Sequence, residues 1–329
     1  MKILISGGLG FVGRHVSKYL IECGNKVSIV DNLTPGSGAI PIEKLNNDFL
    51  KILNEADFFN VDIRDCARDF FSKFDAVIHL AAIVGGRVTI ENNPLAVAED
   101  LEIDSKIIRY WEAGYFQHLT YLSSSAAYPV FLQKKSGRSL NETDINFGDQ
   151  LALPDLTYGW AKLTGEYLID IAKARKSLSA TVIRPFSGYG PDQDDAYPFP
   201  SILKRVLSQE NEKDFYVWGS GKQERDFVYI DDVAASISNF TLNRLNTTTN
   251  LCTGVGTSFI NLAKILLESR GYKGVNVIGK SNMPEGVMSR VGNPTHYFEQ
   301  LSKVGLSRPL NIEQILKTKM HEWEKELVT

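Results

Sequence analysis

In the first 185 positions, short runs of branched apolar residues alternate with longer stretches whose apolar positions recur every three or four residues. "KILISGG" runs into a glycine turn, and "VGRHVSKYLIECG" follows with helical spacing and Gly24 at its end. "KVSIVDN", "FFNVDIRD", "DAVIHLAA", "HLTYLSSSA" and "SATVIRP" repeat the strand signature, with helical stretches between most of them. Strands that stay apolar without alternating are covered on both faces, and repeated strand-helix-strand units join parallel neighbours. The pattern predicts an α/β fold built on a doubly wound parallel sheet.

Beyond Arg184 the rhythm changes. "GYGPDQDDAYPFP" is rich in Pro, Gly and Asp and reads as a long loop, a feature that in compact domains tends to carry function. "SILKRVLSQE" has helical spacing, and "DFYVWGSGKQERDFVYIDDVAASISNF" reads as strand, turn, strand and helix. "SFINLAKILLESRG" then predicts a helix, "VNVIG" a strand, "SNMPEGVMSRVGNPTH" a loop, and the tail a last helical region. We expect residues 1–184 to form the larger domain, with segments near 223–252 returning to it. Residues 185–329 are expected to form a smaller mixed α/β lobe.

Bulk properties narrow the classes of function. A chain of 329 residues can bury a large core and suits one large or two intimate domains. The formal charge of −3, with Lys and Arg spread along the chain, lacks the basic face of a nucleic-acid binder. Cys23, Cys66 and Cys252 are too few and too scattered for a disulfide framework or a zinc site, so buried thiols in a reducing compartment are expected. No apolar run approaches the roughly 18 residues of a membrane span. "MKILISGGLGF" does not read as a signal peptide, so a cytoplasmic location and no membrane partner are expected.

The first candidate chemistry lies in "GGLGFVG". Gly7, Gly10 and Gly13 fall between the first strand and first helix, where missing side chains let the backbone turn tightly and approach a pyrophosphate at the helix N-terminus. Asp31 ends the second strand, where a carboxylate can accept both ribose hydroxyls of NAD and repels the 2′-phosphate of NADP. "DNLTPGSG" holds no arginine to welcome that phosphate.

This G-x-x-G-x-x-G spacing, with the chain length, resembles the extended branch of the short-chain dehydrogenase/reductase superfamily. The resemblance covers essentially the whole chain and implies a Rossmann-type sheet, NAD as cofactor and a smaller substrate lobe. It implies that Phe11, Val12, Asn32 and Pro185 lie against the cofactor and that Asp62 and Ile63 flank its adenine. In "HLAA" it places the backbone of Leu80, Ala81 and Ala82 along the cofactor, leaving His79 as a core histidine.

Tyr158 and Lys162, in "TYGWAK", are four apart on a predicted helix and so share a face. A free tyrosine, with a pKa of about 10, is a poor base at neutral pH. A lysine ammonium one turn away favours the phenolate and makes proton abstraction plausible. A hydroxyl from "SSSAAYP" can orient a substrate alcohol, and the resemblance aligns Ser124 with the family's triad hydroxyl and puts Ser125 beside the substrate. Within the branch, these motifs resemble nucleotide-sugar epimerases, dehydratases, decarboxylases and reductases, so a nucleoside-diphosphate sugar is the expected partner.

"QERDFVYIDDVA" is close to a segment of those enzymes whose arginine, here Arg225, binds the substrate diphosphate; Arg290, in "VMSRVGNP", fills the second basic position. Two guanidiniums from separate segments can each grip phosphate in a bidentate way. The same resemblance puts Trp218 near the nucleotide base and Ser187 where relatives carry a phosphate-touching asparagine. "AAIVGGR" and "SSSAAYPVF" are locally similar to GDP-mannose 3,5-epimerase, which puts Gly86 and Arg87 with the substrate.

The absent groups sort the reactions. Dehydratases and decarboxylases resembling this chain carry an acid at the position of Ala126, and the 3,5-epimerase carries a cysteine there. The 3,5-epimerase also has a lysine after "YGP", which "DQDDAYPFP" lacks. Ala126 and Ala127 therefore predict no second acid or base beside the sugar. What remains is chemistry at C4: a 4-epimerase, or alternatively a C4 dehydrogenase or 4-keto reductase. A 3,5-epimerase-like reaction is less favoured, and a non-catalytic NAD sensor is remote, since such proteins lose the tyrosine or lysine. Relatives pair as homodimers through the helix of Tyr158 and one near residues 95–113, so a homodimer is expected.

Overall fold

Seven strands hydrogen-bond side by side in the computed structural model, all of them parallel. It describes residues 1–83, 87–149, 151–209, 213–280 and 286–328, with the side chains of 87–89 and 325–328 set aside. The chain begins β1 (Lys2–Ser6), α1 (Phe11–Glu22), β2 (Lys26–Asp31), α2 (Asn47–Leu53), β3 (Asp57–Asn60), α3 (Arg68–Phe71), β4 (Ala76–His79) and α4 (Arg87–Asn92). It continues α5 (Val97–Glu112), β5 (His118–Leu122), α6 (Leu156–Lys176), β6 (Ala180–Pro185), β7 (Ser187–Tyr189), α7 (Pro198–Leu207), β8 (Asp214–Trp218) and β9 (Glu224–Tyr229). The last elements are α8 (Ile230–Leu242), β10 (Thr247–Leu251), β11 (Gly256–Ser258), α9 (Phe259–Ser269), β12 (Asn276–Lys280), β13 (Ser289–Arg290), α10 (Thr295–Lys303) and α11 (Ile312–Val328).

The order across the large sheet is β10-β6-β5-β4-β1-β2-β3. The chain winds outward from β1 to β3, then returns to β4 on the other side of β1, where Ser6 is in register with His79. In an open parallel sheet such a reversal leaves a crevice at the carboxyl ends of the strands. Alternate side chains face opposite layers. Ile3 and Ile5 join the buried cluster of Val16, Leu20 and Leu53, whereas Leu4 joins Ile103, Ile107 and Trp111 of α5.

The remaining strands form smaller sheets. β9 is flanked by β7 and β13, both parallel to it, and by antiparallel β11, while β8 pairs with β12. Of the segments expected to return, β10 adds to the large sheet beside β6, and α8 packs against β5, β6 and α1. "VNVIG" forms β12 but pairs with β8, away from the large sheet. The loop expected over 281–296 contains β13, because Ser289 and Arg290 add to β9. Phe215, Val217, Phe227, Leu262 and Tyr297 belong to the same buried cluster as Ile3 and Ile5, so one apolar core runs beneath both halves.

All three cysteines are free. Cys66 and Cys252 are buried as expected, but Cys23 is exposed, because it caps α1 where the helix turns toward solvent. Among the described residues, no helix is long and apolar enough to cross a membrane.

Candidate active site

A cavity of about 760 Å³ opens at the carboxyl ends of β1, β2, β4, β5 and β6. All fifteen positions expected against the cofactor line it: Gly7, Gly10, Phe11, Val12, Gly13, Asp31, Asn32, Asp62, Ile63, Leu80, Ala81, Ala82, Tyr158, Lys162 and Pro185. Ser124, Ser125, Ser187, Trp218, Arg225 and Arg290 line the same space. Gly86 and the side chain of Arg87 lie outside the described residues.

The three glycines of the turn are needed for different reasons. Gly7 has φ +72°, and a Cβ there would stand 2.7 Å from the amide nitrogen of Ala81. A Cβ on Gly13 would meet Gly8 Cα at 2.7 Å and strike the carbonyl of Gly7. Gly10 is different: within the protein a Cβ would meet only the Gly7 carbonyl, at 3.4 Å. Its missing side chain instead leaves room in the cavity at the N-terminus of α1, where no side chain caps the helix. Open space before uncapped helix amides fits a pyrophosphate.

Asp31 closes this end. Its carboxylate accepts hydrogen bonds from the backbone N–H of Leu9 (3.0 Å) and Leu33 (2.9 Å). Burial pushes its pKa up, and those amides act against the rise. A carboxylate has about four acceptor sites, so each oxygen keeps capacity for a ribose hydroxyl. Asn32 donates to Asp62 at 3.0 Å, which braces the ends of β2 and β3. Arg64 pairs with Asp62, Glu99 and Glu102, and Arg14 with Asp192, so both guanidiniums are held by carboxylates rather than turned to a 2′-phosphate.

Close packing brings the hydride-transfer candidates together. Gly159 lets α6 approach the Ala126 carbonyl closer than a side chain would allow, and Gly165 does the same against the Tyr121 hydroxyl. Tyr158 thereby comes within hydrogen-bond reach of Ser124. The Ser124 Oγ also accepts from the Ala126 N–H at 3.0 Å, which fixes its rotamer at the end of β5. Lys162 is buried, its Nζ 5.8 Å from the Tyr158 ring centre and 5.0 Å from that of Tyr121. Burial pushes the half-buried Tyr158 phenol above its ordinary range; Asp100 and Asp104 add to the rise and the Ser124 hydrogen bond opposes it.

Those two aspartates are the main element missing from the sequence-level expectation. Both lie on α5, four residues apart, and both are 1% exposed. Asp104 Oδ2 is 3.8 Å from Lys162 Nζ and accepts from the Tyr121 hydroxyl, while Oδ1 is 3.0 Å from His79 Nε2. Burial acts to raise the Asp104 pKa, but Lys162 and His79 prevail and hold it below the usual range. Asp100 accepts from the Ile83 N–H at 2.6 Å, and burial pushes its pKa up to about 6 against the pull of Lys162. The signal was present in "AEDLEIDSKII", where two acids share a helical face with Ile103 and Ile107. His79 is a satisfied core histidine, its Nδ1 2.6 Å from Ser6 Oγ.

At the far end, Arg225 and Arg290 are cross-strand partners in the β9–β13 pairing. Arg225 donates to the carbonyls of Glu224 and Val287 and lies over the Phe259 ring. Arg290 donates to Gln133 at 2.7 Å and pairs with Asp155, just before α6. Trp218 is half exposed at the end of β8. One expectation needs correcting. Ala126 does leave that wall without an ionisable group, but Asp155, at the start of α6, and Asp194 and Asp195, in the 190–197 loop, also line the cavity. Each is engaged: Asp155 with Arg290, Asp195 with Lys204, and Asp194 with the Ala196 N–H.

Comparison with known proteins gives a consistent result. The sequence profile of the NAD dependent epimerase/dehydratase family matches residues 3–248. A protein of Methanocaldococcus jannaschii described as a putative UDP-glucose 4-epimerase is 30% identical over 305 residues, covering 88% of each chain. GDP-L-fucose synthase of Escherichia coli is 27% identical, covering 98% of this chain and 96% of that one. The crystal structure of UDP-glucose 4-epimerase from Thermotoga maritima, with UDP-glucose, superposes with a TM-score of 0.79 at 26% identity, covering 99% of this chain and 100% of that chain.

Proposed function

The chain belongs to the NAD dependent epimerase/dehydratase family and is an enzyme of that kind, and from that premise we propose that it inverts C4 of the sugar in a nucleoside-diphosphate sugar. The observation that carries this reading is the joining of Ser124, Tyr158 and Lys162 to an arginine pair within one cavity. NAD, when bound, supplies the hydride acceptor and donor. The glycine turn would hold its pyrophosphate and Asp31 its ribose.

The chain's own groups do the rest. Ser124 Oγ orients the C4 oxygen, and the Tyr158 hydroxyl oxygen takes its proton. Lys162 favours the charged phenolate that this transfer needs. Arg225 and Arg290 hold the diphosphate while the sugar ring turns, so the proton returns from Tyr158 to an oxygen on the opposite face. To do so, Arg290 exchanges Asp155 for phosphate. Residues to about 184 carry the cofactor and later segments the sugar nucleotide. A cytoplasmic homodimer completes the proposal; Leu101 of α5 and Trp160 and Tyr167 of α6, all exposed, support pairing through these helices.

The test is to mix the purified protein with UDP-, GDP- and dTDP-sugars and follow nicotinamide absorbance together with the sugar by NMR. Turnover to a C4 epimer without net cofactor conversion is expected. Stoichiometric conversion of added cofactor would replace the epimerase by a C4 dehydrogenase or reductase. Solvent deuterium at C3 or C5 would restore a 3,5-epimerase reading, with Asp194 or Asp195 as the acids to examine.

A further inference from the structure

A buried ammonium beside a tyrosine is expected to make the phenol more acidic, yet here Lys162 has a counter-charge of its own. Asp104 Oδ2 lies 3.8 Å from Lys162 Nζ, and both side chains are almost wholly enclosed. The carboxylate is fixed from two strands: the Tyr121 hydroxyl of β5 donates to Oδ2, and His79 Nε2 of β4 sits 3.0 Å from Oδ1. The His79 ring is held in turn by Ser6 Oγ of β1 at 2.6 Å, and the Ala81 N–H on the cavity wall reaches the same hydroxyl. Asp104 therefore sits at the meeting point of α5, α6 and three central strands, one layer behind the cavity.

We propose that Asp104 is a positioning residue for proton transfer at Tyr158: its carboxylate anchors the Lys162 ammonium and offsets part of its charge. Tyr158 then stays a phenol until positive charge enters the cavity. The inference rests on the reading of Tyr158 and Lys162 as the catalytic pair. Among the described residues, the other titratable groups around the pair are Asp100 on α5, Glu166 on α6, Tyr121 on β5, His79 on β4 and Tyr197 before α7. Of these, Asp100 adds negative charge beside Lys162, and its carboxyl titrates near pH 6. Asp104 remains ionised well below that, so its field is constant across the working range.

The test replaces Asp104 by a neutral group and reads Tyr158 directly. Protein labelled with ¹³C at tyrosine Cζ, with NAD bound, is titrated by NMR, and the Tyr158 signal is assigned through Tyr158→Phe. Asp104→Asn is expected to lower the phenol midpoint by about one pH unit. The acidic limb of kcat/KM should move in the same direction, while Asp104→Glu stays near the parent. Asp104→Ser, a second neutral variant, guards against a fold failure specific to asparagine and should give the same shift. An unchanged midpoint in a folded neutral variant would overturn the proposal and leave Asp104 a core ion-pair partner. If Tyr158→Phe kept full activity while the midpoint shift persisted, the catalytic reading would fail and the electrostatic coupling would stand.

Discussion

The two ends of the cavity are built from different materials. At the cofactor end, backbone and empty space do most of the work: Gly7 and Gly13 are required by the protein's own packing, and Gly10 by the room it leaves. At the arginine end, charged side chains do it, and each is already engaged, Arg290 with Asp155 and Gln133, Arg225 with two carbonyls. A site made of absent side chains is rigid before any ligand arrives. One made of guanidiniums has to exchange protein partners for phosphate, so its affinity is a difference between two sets of charge-assisted bonds.

That contrast can be broken most forcefully at the glycines. Gly13→Ala puts a methyl against the Gly7 carbonyl and is expected to cost about 3 kcal/mol of stability or more, read by chemical denaturation, with NAD binding lost. Gly10→Ala should leave stability within about 0.5 kcal/mol yet weaken NAD binding about a hundredfold, because its methyl enters only the cavity. If both variants lost stability equally, the distinction between packing glycine and cavity glycine would be wrong.

The arginine end predicts a smaller and different change. Arg225→Ala or Arg290→Ala should raise KM for the nucleotide sugar about ten- to a hundredfold, as expected for a lost charge-assisted bond, with NAD affinity unaltered. Loss of NAD binding in either variant would mean the two ends are not separable. A subtler effect lies between them, at Asp100. Its pKa is raised from about 3.8 to about 6, so its contribution to stability is full below about pH 4 and is lost as pH rises through 6. Asp100→Asn keeps the acceptor for the Ile83 N–H. The variant should therefore be more stable than the parent by about 3 kcal/mol at pH 8, with the gap closing below pH 4.

The same contrast explains what could be read from the sequence. The strands, the glycine turn, Asp31 and the Tyr158–Lys162 spacing are local patterns, set by backbone geometry over a few residues, and they were legible. The pairing of β12 with β8 and the strand β13 inside an expected loop depend on partners far along the chain. Asp104 looked like an ordinary polar position on an amphipathic helix, because nothing nearby in sequence reveals that Lys162, Tyr121 and His79 converge on it. The acids of the 190–197 loop were visible as residues, but only the folded loop brings Asp194 and Asp195 to the cavity.

The central claim is that hydride leaves and returns to one carbon while Tyr158 handles the accompanying proton. It is tested most directly with a nucleotide sugar deuterated at C4 and turned over in ordinary water, with the product read by NMR and mass spectrometry. An inverted C4 that retains its deuterium is expected, with no exchange at other ring carbons and no turnover in Tyr158→Phe. Loss of the label from C4, or inversion at a different carbon, would contradict it.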